Sequence, residues 1–259
     1  MKGLLLFCAL ATVPLLAGCG SDEDGSDSSG ELLVAAAASM QQAFDEIGPL
    51  FEQRTGAEVT FSYGATVALA QQIEAGLPAD LFVAADSENV DRLREKGLLI
   101  GDTQQVYARG RLALAGSTKA GVTVSELEDL LRPEVEKIAI ADPEVAPYGR
   151  AAEEALRSAG LWDELKPKLV YGQNVNAATE YVRSGNAEAG LVALSLVIRE
   201  PAVTYVTVDE GLHQPIEQAL AVVKDTKNEE LARRFVAFVR GAEGRAVLEK
   251  YGFVVPEEG

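Results

Sequence analysis

The chain has 259 residues, 47% hydrophobic and 24% charged, and its 23 Lys and Arg stand against 40 Asp and Glu for a net charge of −17. That length carries one large domain or two ordinary ones with real cores. With only 6% aromatic residues the composition also excludes a general nucleic-acid binder, which needs cations for phosphates and rings for bases. Two cysteines and one histidine, His213, exclude a disulfide scaffold and a multi-histidine metal centre, and leave a Ser/His/Asp triad a single possible base.

Residues 1–18 read as a secretory signal: Lys2 gives the positive start, and the apolar run from Leu4 to Leu16 is too short to span a membrane. Leu16-Ala17-Gly18-Cys19 resembles the lipobox of bacterial lipoproteins, which implies cleavage before Cys19 and its attachment to diacylglycerol, with Cys8 lost in the removed segment. After Cys19, residues 20–30 (GSDEDGSDSSG) hold no apolar side chain and are expected to form a flexible acidic tether, 19–30 in all. The remaining chain is then expected to work outside the cytoplasm, held at a membrane by its lipid.

From residue 31 apolar runs alternate with amphipathic ones. The pattern predicts a strand over 32–36, then a helix carrying Met40, Phe44, Ile47 and Phe51 at helical spacing, bent at Pro49 and ended by Gly56. A strand at 59–63, a helix at 68–75 closed by Gly76, a strand at 81–85 and a helix at 90–96 closed by Gly97 follow. Next come a strand at 111–115, a short helix at 126–131 capped by Ser125 with Glu128 as capping-box partner, and a strand at 137–141. Helix 149–158, strand 168–171, helix 177–183 and strands 189–194 and 216–223 lead to closing helices at 229–240 and 243–249. This rhythm predicts an α/β fold with mostly parallel sheets. Two lobes, 31–110 with 220–259 and 111–219, fit the order, as does one large sheet.

Four strand-to-helix junctions stand out. Ser39 follows the first strand; Thr66 follows Gly64-Ala65; Tyr148-Gly149 follows Asp142 to Pro147; Val175 follows Gly172-Gln173-Asn174. In an open α/β sheet ligands gather at the carboxyl ends of strands, where helix starts offer unpaired N–H groups and a positive dipole end. Hydroxyl and N–H donors converging without a cation suit a compact oxyanion. Taken singly, Ser39 and Thr66 have a plainer reading as helix N-caps.

The stretches Ala35-Ala36-Ala37-Ala38-Ser39-Met40, Gly64-Ala65-Thr66 with 69–76 (LAQQIEAG), and 78–86 (PADLFVAAD) closely resemble the periplasmic molybdate-binding proteins of ABC importers. Residues 141–149 (ADPEVAPYG) and Lys250-Tyr251-Gly252-Phe253 match the same family, so the resemblance runs from Leu32 to Phe253. It implies a two-lobed class II periplasmic-binding-protein fold that closes on molybdate or tungstate and passes it to an ABC permease, with no cofactor and no metal ligand from the protein. It further implies that Ser39 and Thr66 donate hydroxyl and backbone N–H groups, and Tyr148 and Val175 backbone N–H groups. Many members carry a tyrosine hydroxyl where this chain has Ala193; Tyr148 or Ser195 replaces that donor, or the site is one bond short. A monomer is expected. Sulfate or phosphate as the bound anion is the alternative within transport. A membrane-attached hydrolase would need a nucleophile with a positioned base. Asp142 and Glu144 as a carboxylate pair are weaker than plain solvated charge, His213 reads as a loop residue, and Trp162 as a packed helix start.

Overall fold

The computed structural model describes residues 30–256; the expected signal, Cys19 and the tether up to residue 29 lie outside the described residues. The strands β1 (Glu31–Ala37), β2 (Glu58–Gly64), β3 (Leu81–Ala84) and β4 (Gln105–Gly110) come first, joined by α1 (Gln41–Thr55), α2 (Thr66–Glu74) and α3 (Glu88–Glu95). The strands β5 (Leu112–Ser117), β6 (Ile138–Ala141), β7 (Leu169–Gly172), β8 (Ala189–Ala193) and β9 (Val203–Thr207) follow, with α4 (Pro147–Ser158), α5 (Trp162–Leu165), α6 (Val175–Ser184) and α7 (Leu194–Val197) among them. The last strand, β10 (Ile216–Val222), precedes α8 (Glu229–Arg240) and α9 (Ala242–Lys250).

These strands make two five-stranded sheets, ordered β2-β1-β3-β10-β4 and β7-β6-β8-β5-β9. In the first, β1 lies parallel to β2 and β3, and β10 is antiparallel to β3 and β4. In the second, β6 lies parallel to β7 and β8, and β5 is antiparallel to β8 and β9. The chain therefore crosses between sheets twice, at Arg111 and between β9 and β10. The expected lobe boundary at 220 falls inside β10, which pairs as a whole within the first sheet, so the second crossing lies at 208–215.

The apolar run of β1 reflects burial on both faces, as parallel strands under helices require. Leu32, Val34 and Ala36 enter a core shared with α1 and α8, whereas Ala35 enters a second core shared with α2 and α3. Phe44, Phe51 and Phe61 pack around Phe235 in tilted or edge-on contacts, with centroids between 5.1 and 6.2 Å apart. The larger core continues through the second sheet without a break.

Three elements have no counterpart in the sequence reading: β4, β9 and α7; the helix start read at Trp162 is α5. α1 continues through Pro49, which is exposed, so the carbonyl its missing N–H leaves free faces water. Gly56, at φ 71°, ends that helix as expected. Over 127–131 the chain forms a 3-10 turn whose capping box joins Glu126 and Asp129 rather than Ser125 and Glu128. Asp129 is the residue in register to reach back, and it also accepts the Ser125 hydroxyl at 3.0 Å.

Candidate functional site

Between the sheets, at the carboxyl ends of β1, β2, β3, β6 and β7, lies a small cavity. Pockets for drug-sized organic ligands run to about 300–1,000 Å³; this space, about 10 Å³ on the comparable measure, is far too small for such a ligand. Ser39, Thr66, Tyr148 and Val175 all line it, brought from four separate junctions. The rest of the wall is Ala37, Ala38, Gly64, Ala65, Ala85, Ala146, Pro147 and Asn174. Small residues there leave backbone N–H groups uncovered, and no lining side chain is charged.

The plainer alternative for Ser39 and Thr66, a helix N-cap, does not hold. Ser39 sits in the 3-10 turn Ala38–Met40 that leads into α1, and Ala37 is its N-cap; Ala65 is the N-cap of α2, and neither helix start has a side-chain cap. Ser39 is 1% exposed and its Oγ completes no hydrogen bond. Thr66 Oγ1 accepts the Ala85 N–H at 3.1 Å, which leaves its own proton free to donate. Tyr148 is the second residue of α4 and Val175 the first of α6, so neither N–H has a carbonyl one turn behind it in its helix. Asn174 caps α6 by accepting from Ala177 N at 2.9 Å, which leaves the Val175 N–H unused. The positive dipole ends of α2, α4 and α6 converge on the same space.

The Tyr148 side chain also packs at the first crossing between the sheets. Its hydroxyl lies over the α-carbon of Gly110, at the first crossing between sheets: a β-carbon at residue 110 would stand 2.0 Å from that oxygen and 2.9 Å from Gln218 Nε2. Burial pushes the phenol well above its ordinary range, while the neighbouring Ser39 hydroxyl acts in the opposite sense. Ser195 is committed elsewhere too. Its Oγ donates to the Ser39 carbonyl at 2.7 Å across the lobes, fixing the turn that carries Ser39. Ala193 ends β8, fully buried, with no donor to offer. Ser195 thus does not stand in for the tyrosine hydroxyl of the resembling family, whereas the Tyr148 hydroxyl, buried beside Ser39, completes no hydrogen bond of its own.

The other singled-out residues have local tasks. Asp142 Oδ1 accepts the Glu144 N–H at 3.0 Å, shaping the loop into α4. His213 Nδ1 lies 2.7 Å from the Gln214 carbonyl, at the end of a 3-10 turn. Trp162 opens α5 and packs under the Arg157 guanidinium, 4.8 Å from its ring. Among the described residues no group of three or more His, Cys, Asp or Glu can hold a metal ion, and no helix is long and apolar enough to cross a membrane.

The profile of the bacterial extracellular solute-binding proteins matches residues 32–254. The chain belongs to that family. This solute-binding protein is 34% identical, over 87% of its length and 88% of the relative's, to a protein named molybdate-binding protein ModA from Rhodobacter capsulatus. It is 31% identical to the ModA of Escherichia coli over 98% of both chains. Its fold superposes on the periplasmic molybdate-binding protein of Azotobacter vinelandii with a TM-score of 0.83 at 28% identity, covering 87% of this chain and all of that one. The match makes this an extracytoplasmic solute-binding protein of the ABC-transport type with the two-sheet α/β architecture of periplasmic binding proteins. In that architecture Gly149 has a steric reason: a β-carbon there would stand 2.4 Å from the Ala141 carbonyl oxygen, so only glycine lets α4 begin hard against the end of β6.

Proposed function

We propose that this solute-binding protein captures molybdate, or tungstate of nearly the same size, between its lobes and delivers it to an ABC permease. The observation that carries the reading is the Ser39 hydroxyl. It is buried in the lining of a small uncharged cavity, beside the Tyr148 hydroxyl, and completes no hydrogen bond of good geometry. A buried hydroxyl left unpaired costs stability, about 1–3 kcal/mol, and an oxyanion accepting its proton removes that cost. Thr66 Oγ1 and the N–H groups of Tyr148 and Val175 supply further donors. The named molybdate-binding relatives support the choice of anion.

The donor set discriminates in two ways. Hydrogen bonds need about 2.7–3.1 Å between heavy atoms, so a cavity set for a larger tetrahedron leaves sulfate with long, weak bonds. A protonated phosphate needs an acceptor, and the lining holds no carboxylate. Titration calorimetry with the four anions is expected to show molybdate and tungstate binding far more tightly than sulfate and phosphate. The same titrations are expected to stay flat from about pH 6 to about pH 9, where histidine and thiols change charge. Tyr148, the one titratable residue of the lining, ordinarily titrates above that window, and burial pushes it higher still. Equal or tighter sulfate binding assigns the site to a different anion, and a one-proton step near neutrality places a titrating side chain on the ligand.

We also read Cys19 as the lipid-bearing first residue of a mature monomer anchored at the outer face of a membrane. Cys19→Ser is expected to move the protein from the membrane fraction to the soluble extracellular fraction, or to leave it uncleaved. Wild-type protein recovered wholly soluble sinks this reading.

A further inference from the structure

Arg150 makes an ion pair that no local need explains. It is the fourth residue of α4, where the positive dipole end disfavours a cation. Its Nη2 reaches across the cleft to Asp86 Oδ2 at 2.6 Å, and lies 3.9 Å from Glu88 Oε2. Among the described residues it is the only basic side chain whose ion pairs join the two lobes. The acceptor is held ready: Asp86 takes the Asn89 N–H at 3.0 Å and the Asn89 side-chain amide at 3.0 and 2.9 Å, both within its own lobe. The Asp86 side chain is 13% exposed and that of Arg150 34%, so water screens the pair only in part.

The placement matters more than the pair itself. Asp86 follows Ala85, whose N–H is bonded to Thr66; Arg150 stands two residues after Tyr148. The pair therefore ties the Thr66 wall of the cavity to the Tyr148 wall. A second link, Val67 N to the Val145 carbonyl at 3.2 Å, crosses beside it.

We propose that Arg150 is a positioning residue for anion capture, and that its pair with Asp86 is a latch that stabilises the closed arrangement of the lobes. This rests on the oxyanion reading of the cavity. A contact made only in the closed state adds its full worth to apparent affinity while touching no ligand atom. Arg150→Gln is expected to raise the Kd for sodium molybdate about 3- to 10-fold, chiefly through faster release. The melting temperature of the ligand-free protein is expected to stay near wild type. Asp86→Asn, which keeps an oxygen for the Asn89 N–H, is expected to match it, and the double variant to be no weaker than either single. A Kd within twofold of wild type for both single variants, or fully additive effects, overturns the latch. If wild-type protein binds none of the four anions, the oxyanion reading falls, and small-angle scattering of ligand-free protein decides the latch. A larger radius of gyration in Arg150→Gln then supports it, and equal radii overturn it.

Discussion

Ser39→Ala is expected to weaken molybdate binding about 10- to 150-fold. Hydrogen bonds to charged groups are worth about 1.5–3 kcal/mol, and each 1.4 kcal/mol is about tenfold in affinity. The substitution removes a hydroxyl that satisfies nothing within the protein, so ligand-free stability should hold or rise slightly. That separation of affinity from stability is what marks a ligand donor. Thr66→Ala should lose affinity over the same range but also some stability, because the Ala85 N–H then loses its acceptor. Calorimetric titration with thermal melting of the ligand-free proteins checks both. A Ser39→Ala protein that binds within threefold of wild type removes Ser39 from the site.

Gly110→Ala is expected to do more damage with one methyl group. The added carbon would meet the Tyr148 hydroxyl at 2.0 Å and its Cζ at 2.9 Å, and Tyr148 is 1% exposed. Overpacking of this kind costs about 1–3 kcal/mol, occasionally more, and for a protein of this size each kcal/mol moves Tm by about 2–4 °C. The backbone must yield, and the same residue places a donor N–H at the cavity, so affinity should fall with stability. Tyr148→Phe removes the closest of the clashing atoms and a hydroxyl that completes no hydrogen bond. Alone it should be nearly neutral, and combined with Gly110→Ala it should restore part of the lost Tm. If the double variant melts no higher than Gly110→Ala, the clash is not the cause.

The candidate site was legible because its four residues each begin a helix after a strand, a local pattern that a sequence displays directly. The helix ends at Gly56, Gly76 and Gly97 were legible for the same reason, each glycine having the positive φ that L side chains rarely adopt. The elements that escaped are short or lie at sheet edges. β4 and β9 are edge strands with exposed polar residues, and α7 is four residues long, too short for a helical repeat to show. Long-range partners left no trace at all. Nothing around Gly110 announces Tyr148, and nothing around Ser195 announces the Ser39 carbonyl, because contacts 38 or 156 positions apart are set by how two sheets meet. Reading Ser39 and Thr66 as caps failed for an instructive reason: Ala37 and Ala65 take the cap positions, and the hydroxyls one or two residues on are spared for the cavity.

If Ser39 is the donor proposed above, the Ser195 hydroxyl bonded to its carbonyl makes the aim of one lobe's donor a property of the other lobe. Separating the lobes cuts that bond, and the turn carrying Ser39 loses its outside brace as the anion loses its opposite wall. Grip and enclosure would then fail together, giving unloading the character of a trigger rather than a leak. A partner that levers the lobes apart can empty the protein by mechanics alone, with no group of its own reaching the ion.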